Sequence, residues 1–180
     1  PKLLTEPQLY DFALNSLARR SQSTAELRQR LERRAVEPAA VARVLTRLQD
    51  AGLLDDRRFA FHYAAYRARR FGRYRIRREL RRKGLPEELI DQALAEVFPE
   101  EQDEVALVRL RLARRLRGKE QPYTDKVLRA AYQSLLRAGF SSAIILRELE
   151  CYRRASRRRQ AFEAALADAQ REPQAGRNDQ

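Results

Sequence analysis

Apolar positions along the chain recur at the three- and four-residue spacing of amphipathic α-helices. Leu27 and Leu31 form one such pair, and Ile76 and Leu80 form another. Because side chains at i and i+4 lie on the same face of a helix, each pair marks a buried side. β-branched residues are few and never alternate with polar residues over the length of a strand. The pattern therefore predicts an all-α protein.

The helical pattern occurs three times with the same punctuation. Each time a helical stretch is followed by a small residue, a large apolar residue and a second amphipathic run. The three segments are Leu31–Leu45, Leu80–Leu94 and Leu135–Leu149. Glycine ends a helix at little steric cost, so Gly84 and Gly139 predict helix ends. The apolar residue after each small one is expected to pin the turn to the core; these residues are Val36, Leu85 and Phe140.

A further helix precedes each of these segments. Phe12–Arg20 matches Phe61–Arg69 at an offset of 49 residues, and "LARR" recurs at Leu112–Arg115. A unit of three helices and about 50 residues is typical of stacked repeats. We therefore predict three tandem three-helix repeats in an elongated, curved array, at residues 1–55, 56–99 and 100–170. Residues 171–180 lack apolar periodicity and are predicted to be a mobile tail.

Helix starts carry their own signals. Ser23 and Glu26 have the spacing of a capping box. Asp55 and Asp56 are predicted to cap the helix that contains Phe59, and Asp125 is predicted to cap a helix in the third repeat. Pro38 and Pro86 stand where a following helix is expected to begin.

Charge adds a prediction about partners. The chain carries a formal net charge of +13, and residues 67–83 alone hold ten basic residues and one acid, a net +9. Like charges this dense repel one another, so the fold itself does not need them. The cluster indicates an anionic partner, with nucleic acid first, an acidic protein surface second and a membrane third.

The arginines face one way if residues 73–83 are helical. Ile76 and Leu80 then define the buried side, with Arg75, Arg78 and Arg82 farthest from them. Glu79 and Lys83 are spaced to pair at i,i+4. Arginine binds phosphate and carboxylate in a bidentate way, and a tyrosine between arginines offers a platform for a base. The predicted DNA- or filament-binding residues are Arg67, Arg69, Arg70, Arg73, Tyr74, Arg75, Arg77, Arg78, Arg81, Arg82 and Lys83.

Two smaller basic clusters are candidate extensions of this footprint. They include Arg109, Arg111, Arg114, Arg115, Arg153, Arg154, Arg157 and Arg158. Acids are segregated as well, because residues 86–108 hold eight acids and no base.

Catalysis has little support in the sequence. His62 is the only histidine and is interpreted as a packing residue, as are Tyr63 and Tyr66 on the same helical stretch. No phosphate-binding loop, dinucleotide-binding turn, nucleophile elbow or metal-spaced ligand set is present. The single cysteine, Cys151, excludes an internal disulfide framework. We expect no enzyme activity, no cofactor, no metal and no membrane span, and a cytoplasmic location.

Two stretches carry a resemblance to a known family. "LARRSQSTAELRQRLERR" and "LTRLQDAGLLDDRRFAFHYAAYRARRFGRYRIRRELRRKGL" resemble the signature of the RecX family, bacterial regulators of the RecA recombinase. The similarity runs from about Ala13 to Glu150. "GLLDDRRFA" followed by "GRYRIRRELRRKGL" is its most specific part.

The resemblance implies a fold of tandem three-helix units and a non-enzymatic role in recombination, DNA repair and the SOS response. It implies a protein that binds in the groove of the RecA filament on single-stranded DNA. There it would modulate, and mainly inhibit, the ATPase, recombinase and coprotease activities of RecA. Single- and double-stranded DNA are expected as largely non-specific partners, and the protein is expected to be a monomer.

Other functions remain open at this stage. A helix-turn-helix transcription regulator is the first alternative, but its recognition helix would be the one after Pro86, which is acidic and would be repelled by phosphate. A second is an enzyme acting on nucleic acid, and a third is a scaffold for an acidic protein. A salt titration on random DNA and on a filament separates these functions.

Overall fold

The computed structural model of the chain describes residues 3–171, and in this part the chain forms nine α-helices and no strand longer than an isolated bridge. The prediction of an all-α fold is confirmed. The helices are α1 (Glu6–Arg19), α2 (Thr24–Glu32), α3 (Pro38–Asp50), α4 (Asp56–Ala68), α5 (Arg73–Arg82), α6 (Glu87–Val97), α7 (Glu101–Leu116), α8 (Asp125–Arg137) and α9 (Ser142–Arg171).

Side-chain caps start several of these helices, as the sequence predicts. At α2 the Ser23 hydroxyl accepts from the Glu26 N–H at 3.1 Å, and the Glu26 carboxylate accepts from the Ser23 N–H at 3.2 Å. Asp55 caps α4 by accepting from the Arg58 N–H at 2.9 Å. The predicted cap of α8 is wrong by one residue. Thr124 is the cap, because its hydroxyl accepts from the third residue of the helix, and Asp125 is the first helical residue.

The predicted helix ends at glycine are confirmed, with one exception in the apolar pins. Gly84 has φ +75° and Gly139 has φ +83°, and Leu85 and Phe140 are buried after them. The prediction for Val36 is wrong, because its side chain is 59% exposed. Here the backbone holds the turn instead: the Leu4 N–H donates to the Arg34 carbonyl at 2.6 Å, and the Val36 N–H donates to the Leu4 carbonyl at 3.0 Å.

The chain divides into two compact units after Glu100. In the first unit, α1, α2 and α3 enclose a core that includes Leu9, Leu27, Leu31 and Leu45. The helices α4, α5 and α6 bury their own apolar residues, among them Ile76, Leu80 and Ile90. The finer division into repeats at residues 55 and 99 stays a prediction.

Within the first unit, the start of α2 contacts both α4 and the end of α5. The Ser23 hydroxyl donates to the Lys83 carbonyl at 2.5 Å, and the Thr24 N–H donates to the Asp56 carboxylate at 2.7 Å. A Cβ atom added at Gly84 would lie 2.4 Å from the Ala25 Cβ, so only glycine fits this close approach. These contacts fix the position of the basic helix α5 against α2.

The second unit consists of α7, α8 and the long helix α9. Its buried apolar residues include Val108, Leu112, Leu135, Phe140 and Ile145. The predicted mobile tail at residues 171–180 lies outside the described residues, apart from the last helical residue, Arg171. Among the helices described, none is both long and apolar enough to cross a membrane.

Candidate nucleic-acid interface

Helix α5 faces the way its sequence predicts. Ile76 and Leu80 are completely buried. Tyr74, Arg78 and Arg82 follow one another at i, i+4 and i+8 on the opposite side, and all three are exposed, Tyr74 by 60%. We call these three residues the α5 stripe. It presents a phenol ring and two guanidinium groups to solvent.

Glu79 is the only acid among residues 67–83, and it forms ion pairs with two arginines of this basic cluster. Arg67 donates two hydrogen bonds to the Glu79 carboxylate, at 2.6 and 2.7 Å, and Arg75 donates a third at 3.0 Å. The Tyr63 hydroxyl donates a fourth at 3.1 Å. Burial works to raise the pKa of Glu79, but these hydrogen bonds outweigh it and lower the pKa to about 2.

The ring of Phe71 completes this cluster. The guanidinium carbons of Arg67 and Arg75 lie 4.2 and 3.9 Å from its centre, within the range of cation–π contacts. Arg75 is therefore half-buried and bound within the protein, although the sequence predicted it on the side of α5 farthest from Ile76 and Leu80. The predicted pairing of Glu79 with Lys83 is wrong, because Glu79 binds arginines and the Lys83 ammonium lies 2.9 Å from Glu26 of α2.

Acids of the following helix neutralise two more arginines. Arg77 donates to Glu87 at 3.1 Å and to Asp91 at 2.5 Å, and Arg81 also pairs with Glu87. The hydrogen bond from Arg81 is the main cause of the lowered pKa of Glu87. The acidic run after Pro86 therefore faces the basic helix and balances part of its charge.

Some arginines of the predicted interface are therefore bound by other groups of the protein, and we call these engaged. Others are exposed and have no ion-pair partner in the described chain, and we call these open. Arg73 is half-buried and donates to the Phe98 carbonyl at 3.4 Å, and Arg70 also has a partner. Within residues 3–171, three of the predicted arginines are exposed and have no ion-pair partner. They are Arg69, Arg78 and Arg82.

We predict that Glu79 contributes strongly to the stability of the first unit. Replacing Glu79 by Gln should lower the free energy of unfolding by about 2 kcal/mol, because Arg67 and Arg75 then lose their carboxylate. The folded-state pKa of Glu79 lies below its ordinary value of 4.5, so its contribution is complete above that value and fades as pH falls towards about 2. Urea unfolding at pH 7 and pH 3 measures this difference.

The Glu79→Gln effect should thus be smaller at pH 3 than at pH 7. Glu96→Gln is a matched control, because Glu96 forms an exposed pair with Arg57 at 3.6 Å. Such a pair contributes about 0–1 kcal/mol. Equal effects of the two substitutions would contradict the organising role of Glu79.

The two secondary basic clusters are also partly engaged. In the second unit Arg109 binds the buried carboxylate of Glu148 at 2.7 Å, Arg153 binds Asp125 at 2.9 Å and Arg154 binds Glu150 at 3.1 Å. Arg111 is half-buried, with its guanidinium 5.7 Å from the centre of the Phe140 ring. Of the eight candidates, those exposed and without an ion-pair partner in the described chain are Arg114, Arg115, Arg157 and Arg158.

Two ring-bearing side chains of α4 are more exposed than the sequence predicts. Tyr63 is half-buried against Phe59, with the ring centres 5.9 Å apart. His62 and Tyr66 are exposed instead of packed in the core, Tyr66 by 68%. Residues 62 and 66 are one helical turn apart, a spacing that would have placed both rings on one face, separate from the face of Phe59 and Tyr63.

Comparisons with known proteins agree with the fold. The family model described as "RecX, first three-helix domain" matches residues 10–48, and the model described as "RecX, second three-helix domain" matches residues 55–94. A solved structure, "Crystal structure of RecX from Lactobacillus salivarius", superposes with a TM-score of 0.71 at 21% identity. The superposition covers 81% of this chain and 97% of the Lactobacillus salivarius chain.

Curated relatives give higher identities. "Regulatory protein RecX" of Mycobacterium sp. (strain KMS) is 37% identical over 146 residues, which are 78% of this chain and 79% of the relative. The protein of the same name from Deinococcus radiodurans is 36% identical over 138 residues, 76% of this chain and 64% of the relative. The one from Chlorobium phaeobacteroides (strain BS1) is 39% identical over 93 residues, 51% of this chain and 62% of the relative.

Proposed function

Since this chain belongs to the RecX family of regulatory proteins, we propose that it binds the RecA filament on single-stranded DNA and mainly inhibits it. Binding in the filament groove would slow the ATPase, recombinase and coprotease activities of RecA. The protein would act by occupancy alone, with no cofactor and no chemistry of its own, in the bacterial cytoplasm where such filaments form.

The observation that carries this proposal is the exposed α5 stripe. Arg78 and Arg82 are unpaired in the described chain, although acids neutralise Arg77 and Arg81 on the same helix. Unpaired guanidinium groups are available to phosphates without first breaking an ion pair. A regulator that binds a nucleoprotein filament needs exposed, unpaired cations. A helix face that is only solvated has no need of them.

The alternative of a helix-turn-helix transcription regulator has less support. In such a protein the last helix of a three-helix unit enters the major groove. Here α6 carries Glu87, Glu88 and Asp91, and two of these acids are already paired with α5. The acidic surface of α6 opposes docking on DNA, whereas the α5 stripe favours contacts with phosphates of any sequence.

We predict that the open and engaged arginines differ in the salt dependence of DNA binding. Each phosphate contact contributes roughly −0.7 to the log–log salt slope on a single strand. Arg78→Ala should therefore reduce the magnitude of the slope by about 0.7. Arg77→Ala is the matched control and should change it much less, because Arg77 is held by Glu87 and Asp91. Fluorescence anisotropy on random single-stranded DNA provides the slopes.

Equal slopes for wild type and Arg78→Ala would show that Arg78 does not contact phosphate. A discrimination of about a thousandfold between random and chosen sequences would instead favour the transcription regulator. The same titration on a RecA filament tests the proposed partner, which should be bound more tightly than DNA alone.

A further inference from the structure

Helix α4 carries a second row of exposed side chains that the predicted interface does not include. Arg58, His62 and Tyr66 stand at i, i+4 and i+8 of α4. All three are exposed. On a helix this spacing aligns side chains along one face. The row therefore has one basic residue followed by two aromatic residues along about 12 Å of helix, at a rise of 1.5 Å per residue.

The middle of this row forms one wall of an open cleft within the first unit. The cleft has a volume of about 590 Å³, and its lining includes Leu53, Phe59, His62 and Tyr66. Leu53 is 48% exposed, so the cleft opens to solvent and is not a closed pocket. Tyr63, stacked on Phe59, adds a further half-buried ring.

Cations stand at the rim of the same cleft. Arg58 gives one hydrogen bond to the Gly52 carbonyl at 3.0 Å, which leaves the other donors of its guanidinium open. Arg20 has a side chain that is 56% exposed, and its guanidinium lies 3.9 Å from the Glu26 carboxylate. Positive groups beside exposed ring faces are the two elements of a site for unpaired nucleotides.

A base suits this cleft better than the apolar anchor of an acidic peptide. An aliphatic anchor gains affinity from complete burial, which an open cleft does not give. A base is polar at its edges and apolar on its faces, so it stacks on a ring and leaves its edges in water. Among the rings of this cleft, His62 and Tyr66 are exposed and can be stacked upon in this way.

We propose that this cleft, which we call the α4 cleft, binds an unpaired base of single-stranded nucleic acid. The base would stack on Tyr66 beside His62, with the phosphates of the strand near Arg58 and Arg20. This site extends the proposed function, on which it rests for the class of ligand. It gives the protein a preference for single strands, which charge alone does not supply. Phosphates are common to single and double strands, whereas base faces are accessible only when unstacked.

The test compares two labelled strands of equal length and equal charge, oligothymidylate and an abasic strand. Wild type should bind the thymidylate about tenfold more tightly, as stacking on an aromatic ring predicts. Tyr66→Ala should bring this ratio close to one and leave the affinity for the abasic strand unchanged. Tyr66→Phe, which keeps the ring, should keep the ratio. Phe162→Ala, at a residue of equal exposure (68%) in the second unit, should keep it as well.

Circular dichroism establishes that each variant is folded before binding is compared. A wild-type ratio near one, or a ratio that Tyr66→Ala leaves unchanged, overturns the proposal. If Tyr66→Ala weakens inhibition of RecA without changing the ratio, the cleft serves a protein partner and the proposal is wrong. If the ratio behaves as expected but wild type does not inhibit RecA, the cleft stands and the proposed function fails.

Discussion

Replacing Leu80 by Asp is expected to unfold α4, α5 and α6 at temperatures at which the wild-type protein is folded. Leu80 is completely buried on the side of α5 that packs in the first unit. Removing the leucine side chain costs about 3 to 5 kcal/mol, and an unpaired buried carboxylate adds several more. Together they reach the total stability of an ordinary domain, about 5 to 15 kcal/mol. Thermal unfolding followed by circular dichroism measures the effect.

The matched control is Arg78→Ala, two residues earlier on the opposite side of the same helix. Arg78 is exposed and has no ion-pair partner in the described chain. The free energy of unfolding of the Arg78→Ala variant should therefore stay within about 0.5 kcal/mol of the wild-type value. Melting curves that coincide for Leu80→Asp and Arg78→Ala would mean that α5 faces the other way.

The facing of α5 was predictable because it depends on residues within one helix. Ile76 and Leu80 are the apolar residues of a stretch otherwise rich in arginine, so one buried side satisfies both. The caps Ser23 and Asp55 were predictable for the same reason, since each acts within three residues. Local patterns of this kind also gave the glycine helix ends.

Charge pairing across helices was not predictable to the same degree. Lys83 is 57 residues from Glu26 in the sequence, and only the packing of α2 against α5 brings them together. Arg75 shows the consequence. A helical projection places it far from Ile76, yet it reaches sideways to Glu79 and Phe71, because a long side chain covers more than its own position on the helix.

The exposure of Tyr66 and Val36 has the same origin. Val36 was expected to be buried because it follows the small residue of the first repeat, and Tyr66 because it shares a helical stretch with Phe59. Both side chains are exposed, Val36 in the turn between α2 and α3 and Tyr66 on α4. Sequence spacing predicts which residues share a face, but it does not predict whether another element packs on that face.

Reversing the charge of the α5 stripe is expected to abolish most of the inhibition of RecA. The variant is Arg78→Glu combined with Arg82→Glu, which takes residues 67–83 from a net +9 to +5. Arg75 is left in place, because its bonds to Glu79 would make a third reversal a test of stability. Both replaced side chains are exposed and unpaired in the described chain, so the fold should persist.

The measurement is RecA ATP hydrolysis on single-stranded DNA, with wild type and variant titrated side by side. The concentration for half-inhibition should rise at least about tenfold, which corresponds to about 1.4 kcal/mol of binding energy. Arg114→Glu combined with Arg115→Glu is the matched control, since these arginines are also exposed and unpaired in the described chain. It makes the same change of net charge in the second unit.

A general effect of net charge would weaken both double variants equally, whereas a specific surface on α5 weakens only the first. If the folded α5 variant inhibits as strongly as wild type, the α5 stripe is solvated surface and the proposed interface is wrong. If the control loses inhibition and the α5 variant keeps it, the filament contacts the second unit through the Arg114 and Arg115 cluster. The α5 stripe is the better candidate because Arg78 and Arg82 are exposed and unpaired in the described chain. The neighbouring Arg77 and Arg81 are already neutralised by acids of α6.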